Sequence, residues 1–242
     1  MNLILDVGNT LVKIAVFDKL SMVHLQKEEL SHLPETIKTV FEKYPGIRRA
    51  IVSNVGQLQK KDLDVLAIFC EVHQLSHATK TPFKNSYATP QTLGVDRIAL
   101  ATAAFYKNPN ANTLIIDAGS CITYDMMNDY GEYLGGAISP GMAMRYNALH
   151  NQTSQLPQLH YEDFLDIIGN STETSIHSGV VNGMCQEIDG VINQYKTRFK
   201  DLTVILTGGD AQILSKRLKN TIFAHSNFLL EGLNYLLEYN KR

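Results

Sequence analysis

Cysteine is scarce in this 242-residue chain: Cys70, Cys121 and Cys185 are the only three, far apart and with no C-x-x-C pair. A disulfide framework and a cysteine-based zinc or redox centre are thereby excluded, and the thiols are expected reduced and mostly buried. An excess of one charge is also missing. Against 24 Asp and Glu stand 22 Lys and Arg, a formal net charge of −2, which is too little positive potential to gather a polyanion. Nucleic acid is therefore not an expected partner. No long apolar run opens the chain, because Asp6 interrupts MNLILDVGNT almost at once. Neither a signal peptide nor a membrane span is expected there, and the expected compartment is the cytoplasm. Low-complexity tracts are absent. His73 and His77 stand four apart and would share a helix face, yet no third ligand accompanies them, so surface or packing roles are expected.

What the chain does contain is length and a balanced interior. At 242 residues it exceeds one average domain, and 44% hydrophobic against 19% charged residues is a globular balance. Two domains of a little over a hundred residues each are expected.

One pattern occurs twice. Leu3-Ile-Leu-Asp-Val-Gly-Asn-Thr10 is matched by Leu114-Ile-Ile-Asp-Ala-Gly-Ser-Cys121, with Asp6 and Asp117 separated by 111 residues, nearly half the chain. In each copy a buried-type strand ends in Asp-x-Gly and a small polar residue, and a second β-like run follows, Val12 to Phe17 or Ile122 to Met127. A glycine turn of this kind lets backbone N–H groups approach phosphate oxygens, and Asn9, Thr10 and Ser120 would add donors. Either copy alone reads as an ordinary hairpin turn. Two matched copies at half-length spacing favour the phosphate reading.

Between the copies the pattern predicts a strand over Ala50 to Asn54 and helices over Asp62 to Phe69 and Asp96 to about Lys107. The segment Lys107 to Asn112, with Pro109 and three asparagines, reads as the linker between residues 1–109 and 110–242. Gly135-Gly-Ala-Ile-Ser-Pro-Gly141 reads as a loop of breakers. An amphipathic pattern over Ser175 to Phe199 is interrupted by Gly179, Gly183 and Gly190, which suggests close helix packing or a break. Thr203 to Thr207 reads as a buried strand delivered by Gly208-Gly209 into a helix from Asp210 to Leu218, and a last helix is predicted over Asn227 to Tyr239.

Asp6-x-Gly-Asn-Thr-x-x-Lys13, Gly94-x-Asp-Arg97, Asp117-x-Gly-Ser120, Gly135-Gly-Ala-Ile-x-Pro-Gly141 and Thr207-Gly-Gly209 together resemble the type III pantothenate kinases of the actin and sugar-kinase superfamily. They occur in the family's order and span nearly the whole chain. The resemblance implies an α/β fold of two actin-like (ribonuclease H-like) domains related by internal duplication. It also implies ATP-dependent phosphorylation of pantothenate to 4′-phosphopantothenate, the first step of coenzyme A biosynthesis. One departure is Ser120, where the family usually has threonine; the hydroxyl is kept and a methyl is lost. Cys121 beside it is a local choice without explanation.

On the same resemblance, the ATP phosphates lie between the two hairpins, with Asp6, Val7, Gly8, Asn9, Thr10, Leu11, Val12 and Lys13 on one side and Ser120 on the other. Gly208 and Gly209 lie against the adenosine. Phosphoryl transfer needs a lysine, Mg²⁺ and a ring of N–H donors, and Lys13 fits the first, its alternative being a solvated lysine on an edge strand. Asp6 would hold Mg²⁺ through water. Asp117 matches the position of a monovalent cation, K⁺ or NH₄⁺, with a second magnesium contact or turn capping as alternatives. Asp96 is the candidate general base; an aspartate before Ile98-Ala-Leu100 also reads as a helix N-cap. Arg97 would pair with the pantothenate carboxylate, against a surface salt bridge. Gly94, Val95, Tyr87 and Thr172 match substrate-binding positions, Thr172 reaching the site from the other subunit of a homodimer. Two competing readings remain on this fold: a kinase for another small hydroxylated substrate, and a nucleotide-binding regulator without turnover.

Overall fold

A computed structural model describes residues 1–8, 11–54, 58 and 60–241. The chain divides into two compact units, Met1–Pro109 together with Asn227–Arg242, and Asn110–Ser226.

The first unit opens with β1 (Asn2–Val7), β2 (Val12–Asp18) and β3 (Ser21–Glu28). After these come α1 (Leu33–Lys43), β4 (Arg49–Asn54), α2 (Lys60–Phe69), β5 (Glu71–Gln74), the two-residue β6 (Lys84–Asn85) and α3 (Val95–Lys107). The sheet order is β3-β2-β1-β4-β5. Strands β1, β2 and β3 form an antiparallel meander, while β4 and β5 run parallel to β1. Every residue of β1 is buried, as expected of a central strand covered on both faces. Leu3, Leu5, Ile14 and Val16 of the sheet pack there with Leu33, Ile37 and Val40 of α1.

The second unit repeats the plan with β7 (Thr113–Ala118), β8 (Cys121–Met127), β9 (Glu132–Pro140), α4 (Met142–Asn151), α5 (Thr172–His177), α6 (Gly183–Arg198), β10 (Thr203–Thr207), α7 (Ala211–Ser215) and β11 (Phe223–Ala224). Strands β7, β8 and β9 are again an antiparallel meander, and β10 and β11 again run parallel to β7, in the order β9-β8-β7-β10-β11. These five strands correspond one for one to β3-β2-β1-β4-β5 of the first unit. The internal duplication is thus visible in topology as well as in the Asp-x-Gly repeat.

Several elements differ from the sequence pattern, each for a physical reason. The last helix, α8 (Phe228–Tyr239), is expected with residues 110–242 but belongs to the first unit. Its Leu229, Leu233 and Leu236 stripe is buried, and Gly232 crosses α3 so closely that a Cβ would meet the Ala99 carbonyl oxygen at 2.0 Å. Asn2 completes the attachment: its amide donates to Asn234 Oδ1 (2.7 Å), and Asn234 donates in turn to the Lys19 carbonyl (2.8 Å). No local pattern reports such long-range partners.

The expected loop over residues 135–141 is mostly strand. Residues Gly135 to Pro140 pair with β8 despite their breaker composition, because ladder hydrogen bonds outweigh weak local propensity. The stretch from Ser175 to Phe199 stays helical, and its interruption is a π-helical turn over Ser178–Asn182. Gly179, Gly183 and Gly190 do not mark close packing, since nothing described lies within 4 Å of where their Cβ atoms would be. Helix α7 spans five residues and ends well before Leu218. His73 lies on strand β5 and bonds Thr79 Oγ1 (3.0 Å), and His77 meets the Leu93 carbonyl (2.7 Å), so the two never share a helix face. Cys185 is buried, whereas Cys70 and Cys121 are only partly so. Among the described residues no helix is long and apolar enough to cross a membrane.

Candidate active site

Asp6 is the last residue but one of β1 and sits opposite Lys13 on β2 and Ser53 on β4, a placement fixed by the hairpin register. Lys13 Nζ lies 3.3 Å from Asp6 Oδ2. Strand β2 is flanked by β1 and β3, so Lys13 does not stand on an edge strand. Asp6 is only 7% exposed. Burial pushes its carboxyl above the ordinary aspartate value, Lys13 pulls it down by charge and hydrogen bond, and the charge of Asp96 pushes it up again. Asp6, Lys13 and Asp96 therefore share one electrostatic neighbourhood.

The turn itself begins with the Gly8 N–H donating to the Leu11 carbonyl (3.1 Å). Val7 and Val12 point their side chains into the core, which leaves only their backbone for a ligand, while Leu11 is exposed. Asn9 and Thr10 lie outside the described residues.

Gly94 takes the N-cap position of α3, so Asp96 is not the N-cap; it stands in the first turn, where its Oδ1 accepts from the Arg97 N–H (2.8 Å). That bond leaves further lone pairs on the carboxylate. Arg97 is 4% exposed, which rules out the surface salt bridge, and its guanidinium lies 5.7 Å over the Tyr87 ring. The Tyr87 N–H is itself held by Asn85 Oδ1 at 3.0 Å. Half-buried Val95 opens the helix between Gly94 and Asp96. A buried cation and a phenol ring are thus assembled next to Asp96.

In the second unit Asp117 is the last residue but one of β7, opposite Thr123 and Thr207, the counterpart of Asp6 between Lys13 and Ser53. The second turn is one residue shorter, with three residues between the Ala118–Ile122 pair against four between Val7 and Val12. Its Gly119 N–H donates to the Cys121 carbonyl (2.9 Å), and the Ser120 carbonyl accepts from Gly141 (3.2 Å). Gly208 has φ +98°, and a Cβ there would lie 2.3 Å from the Ala118 carbonyl oxygen and 2.5 Å from Asp117 Oδ1. Thr207 and Gly208 therefore lie directly against the second hairpin, whereas a Cβ on Gly209 would meet no described atom within 4 Å. Thr172 opens α5 in another part of this unit, capped by Ser171, on the wall of a cleft of about 750 Å³.

Two features escape the sequence pattern. Arg145 holds the end of β9, donating to the Pro140 carbonyl (2.9 Å) and Ser139 Oγ (3.1 Å) and pairing with Glu187 (2.5 Å). Asp210, directly after Gly209, lines a small pocket beside α4. The first has no local signal, because Glu187 is 42 residues from Arg145. The second reads in the sequence only as the start of a helix.

These residues fit a phosphate-binding centre that uses Mg²⁺. Among the described residues no three His, Cys, Asp or Glu side chains gather as a metal cage. A single buried carboxylate raised by desolvation, Asp6, suits an ion that keeps most of its waters and takes few protein ligands.

Two like-folded units, each opening on an Asp-x-Gly hairpin, place the chain in the actin-like fold class. Solved structures share the fold. A Baf family protein from Campylobacter jejuni superposes with a TM-score of 0.65 at 24% identity, covering 98% of both chains. The ROK hexokinase from Thermus thermophilus gives 0.50 at 10% identity, covering 99% of both. Within that class the chain belongs to the type III pantothenate kinase family, whose family model matches residues 2–194. Curated relatives of that description are 49% identical in Christiangramia forsetii, over 100% of this chain and 99% of the relative, and 48% identical in Flavobacterium johnsoniae, over 99% and 98%.

Proposed function

We propose that this chain transfers the γ-phosphoryl group of ATP to the primary hydroxyl of pantothenate, giving 4′-phosphopantothenate and ADP. Family membership supplies the substrates, and the paired hairpins supply the chemistry. The observation that carries the mechanism is the equivalence of Asp6 and Asp117, each the last residue but one of the first strand of its unit, just before a glycine turn.

Phosphoryl transfer requires little covalent work from the protein, so positioning and charge stabilisation dominate. Backbone N–H groups of the first turn and the Ser120 hydroxyl bind phosphate oxygens. Lys13 sits within 3.3 Å of Asp6 and brings positive charge to the transferred group. Mg²⁺ held through water by Asp6 would neutralise charge on the β- and γ-phosphate oxygens. Asp96 accepts the proton from the pantothenate hydroxyl as its oxygen attacks phosphorus, using lone pairs not engaged by the Arg97 N–H. Arg97 and Tyr87, the guanidinium already over the phenol ring, receive the pantothenate carboxylate end. Asp117 would hold a monovalent cation.

The site is completed by a second copy of the chain, with Thr172 reaching the partner's pantothenate. Leu165, Ile167 and Ile168, a few residues before Thr172, are 78%, 69% and 75% exposed. Such a cluster next to a cleft is the kind of surface another copy covers. Coupled detection of ADP with and without pantothenate tests the reaction. ADP release that is independent of pantothenate would sink it.

A further inference from the structure

The small pocket beside α4 has a volume of about 190 Å³ and is lined by Met142, Tyr146, Leu159, His160, Tyr161 and Asp210 among others. Two of its walls are tied to the second hairpin. On one side the Asp210 N–H donates to the Ala118 carbonyl (3.0 Å), and on the other Gly141, just before Met142, donates to the Ser120 carbonyl (3.2 Å). The pocket therefore begins one residue away from the Gly119-Ser120 turn along both paths.

Asp210 is the single carboxylate in that lining. Among the described residues none donates a hydrogen bond to its carboxylate, and burial alone pushes that group above the ordinary aspartate value. An ionised carboxylate is an acceptor only, so what it lacks is donors. Whole-ligand pockets run from about 300 Å³ upward, so this one takes a fragment and not an entire nucleotide. In a nucleoside triphosphate the fragment adjoining the phosphates is the ribose, whose 2′- and 3′-hydroxyls present two donors to one carboxylate. The same pairing of an acidic side chain with ribose hydroxyls recurs in dinucleotide-binding folds.

We propose that Asp210 grips the ribose of the phosphoryl donor, accepting hydrogen bonds from its 2′- and 3′-hydroxyls, and so makes the enzyme selective for ribonucleotides. This rests on the reading that the second hairpin binds the donor's phosphates.

The experiment compares kcat/KM for ATP and 2′,3′-dideoxy-ATP at saturating pantothenate in wild type, Asp210→Asn and Asp210→Ala. Loss of hydrogen bonds to a charged group predicts a wild-type preference for ATP of about 10- to 100-fold. In both variants that ratio falls toward one, and melting temperatures establish that they are folded. Inorganic tripolyphosphate, which has no sugar, competes with ATP in all three proteins. A wild-type enzyme indifferent to the missing hydroxyls, or variants that keep the full preference, would overturn the ribose assignment even while tripolyphosphate competes. If tripolyphosphate fails to compete with wild type, the phosphate reading fails and takes this one with it. A loss in the variants that appears instead as altered preference between adenine and guanine, with the sugar preference intact, would assign the pocket to the base and refute the proposal.

Discussion

Asp6 and Lys13 face one another across the first hairpin, the ammonium 3.3 Å from a carboxylate that burial keeps reluctant to ionise. In the folded protein Asp6 binds its proton more readily than in the unfolded chain, because desolvation exceeds the pull of Lys13. Between the unfolded and folded values the native state therefore holds more protons, and stability falls as pH rises through that window. Asp6→Asn removes the penalty, and Lys13, with a third of its side chain exposed, is left to solvent.

The expected outcome is a variant that melts higher than wild type at neutral pH, with the gap closing as pH falls toward 3.8, the ordinary aspartate value. Turnover should fall by about 10²- to 10³-fold, the usual loss for one electrostatic stabiliser. Scanning calorimetry at several pH values, with the coupled ADP assay, checks both. A lower melting temperature at neutral pH would show that the ion pair outweighs burial.

Asp96→Asn keeps the shape of the first turn of α3 and still offers an oxygen to the Arg97 N–H. If Asp96 is the general base, kcat falls by about 10²- to 10⁴-fold while the melting temperature stays near that of wild type. Near-normal turnover would remove Asp96 from the mechanism.

Asp117 stands against Gly208, whose missing side chain leaves room at its Oδ1. With magnesium present, adding K⁺ or NH₄⁺ should raise the rate, and Asp117→Asn should lose most of that response. Equal rates in sodium-only and potassium buffers would sink the cation assignment.

Legibility in the sequence follows the range of the interactions. Strand β10 falls on Thr203–Thr207 as its apolar run predicts, and both hairpins lie where the Asp-x-Gly repeats put them. These depend on neighbours within a dozen residues. Local pattern puts helix α8 in the wrong unit because its anchors, Asn2 and Ala99, are more than a hundred residues away. Asp96 is ambiguous between a cap and a base, since both uses begin with an acidic residue at a helix start; Gly94 as the N-cap resolves the local half of that question. Asp210 is hidden because a carboxylate after two glycines looks like a helix start, and only the fold reveals the pocket it lines.

The shared site is the most exacting expectation, because it links Asp96 in the first unit with Thr172 in the second through two copies of the chain. Thr172 opens α5 on the wall of the larger cleft, and a tyrosine there would obstruct it without disturbing the Ser171 and Thr174 hydroxyls that cap the helix. Asp96→Asn homodimers should be impaired in chemistry and Thr172→Tyr homodimers in pantothenate binding, seen as a kcat loss in one and a KM increase in the other. In a mixed dimer, one site collects both substitutions, while the other takes an intact Asp96 from one chain and an intact Thr172 from its partner. Co-refolding the two inactive parents should therefore restore up to about half the wild-type activity per mixed dimer, as isologous pairing requires. Native mass spectrometry counts the mixed dimers. If they are abundant and the mixture stays as inactive as its parents, each site lies within one chain and the dimer does not complete it.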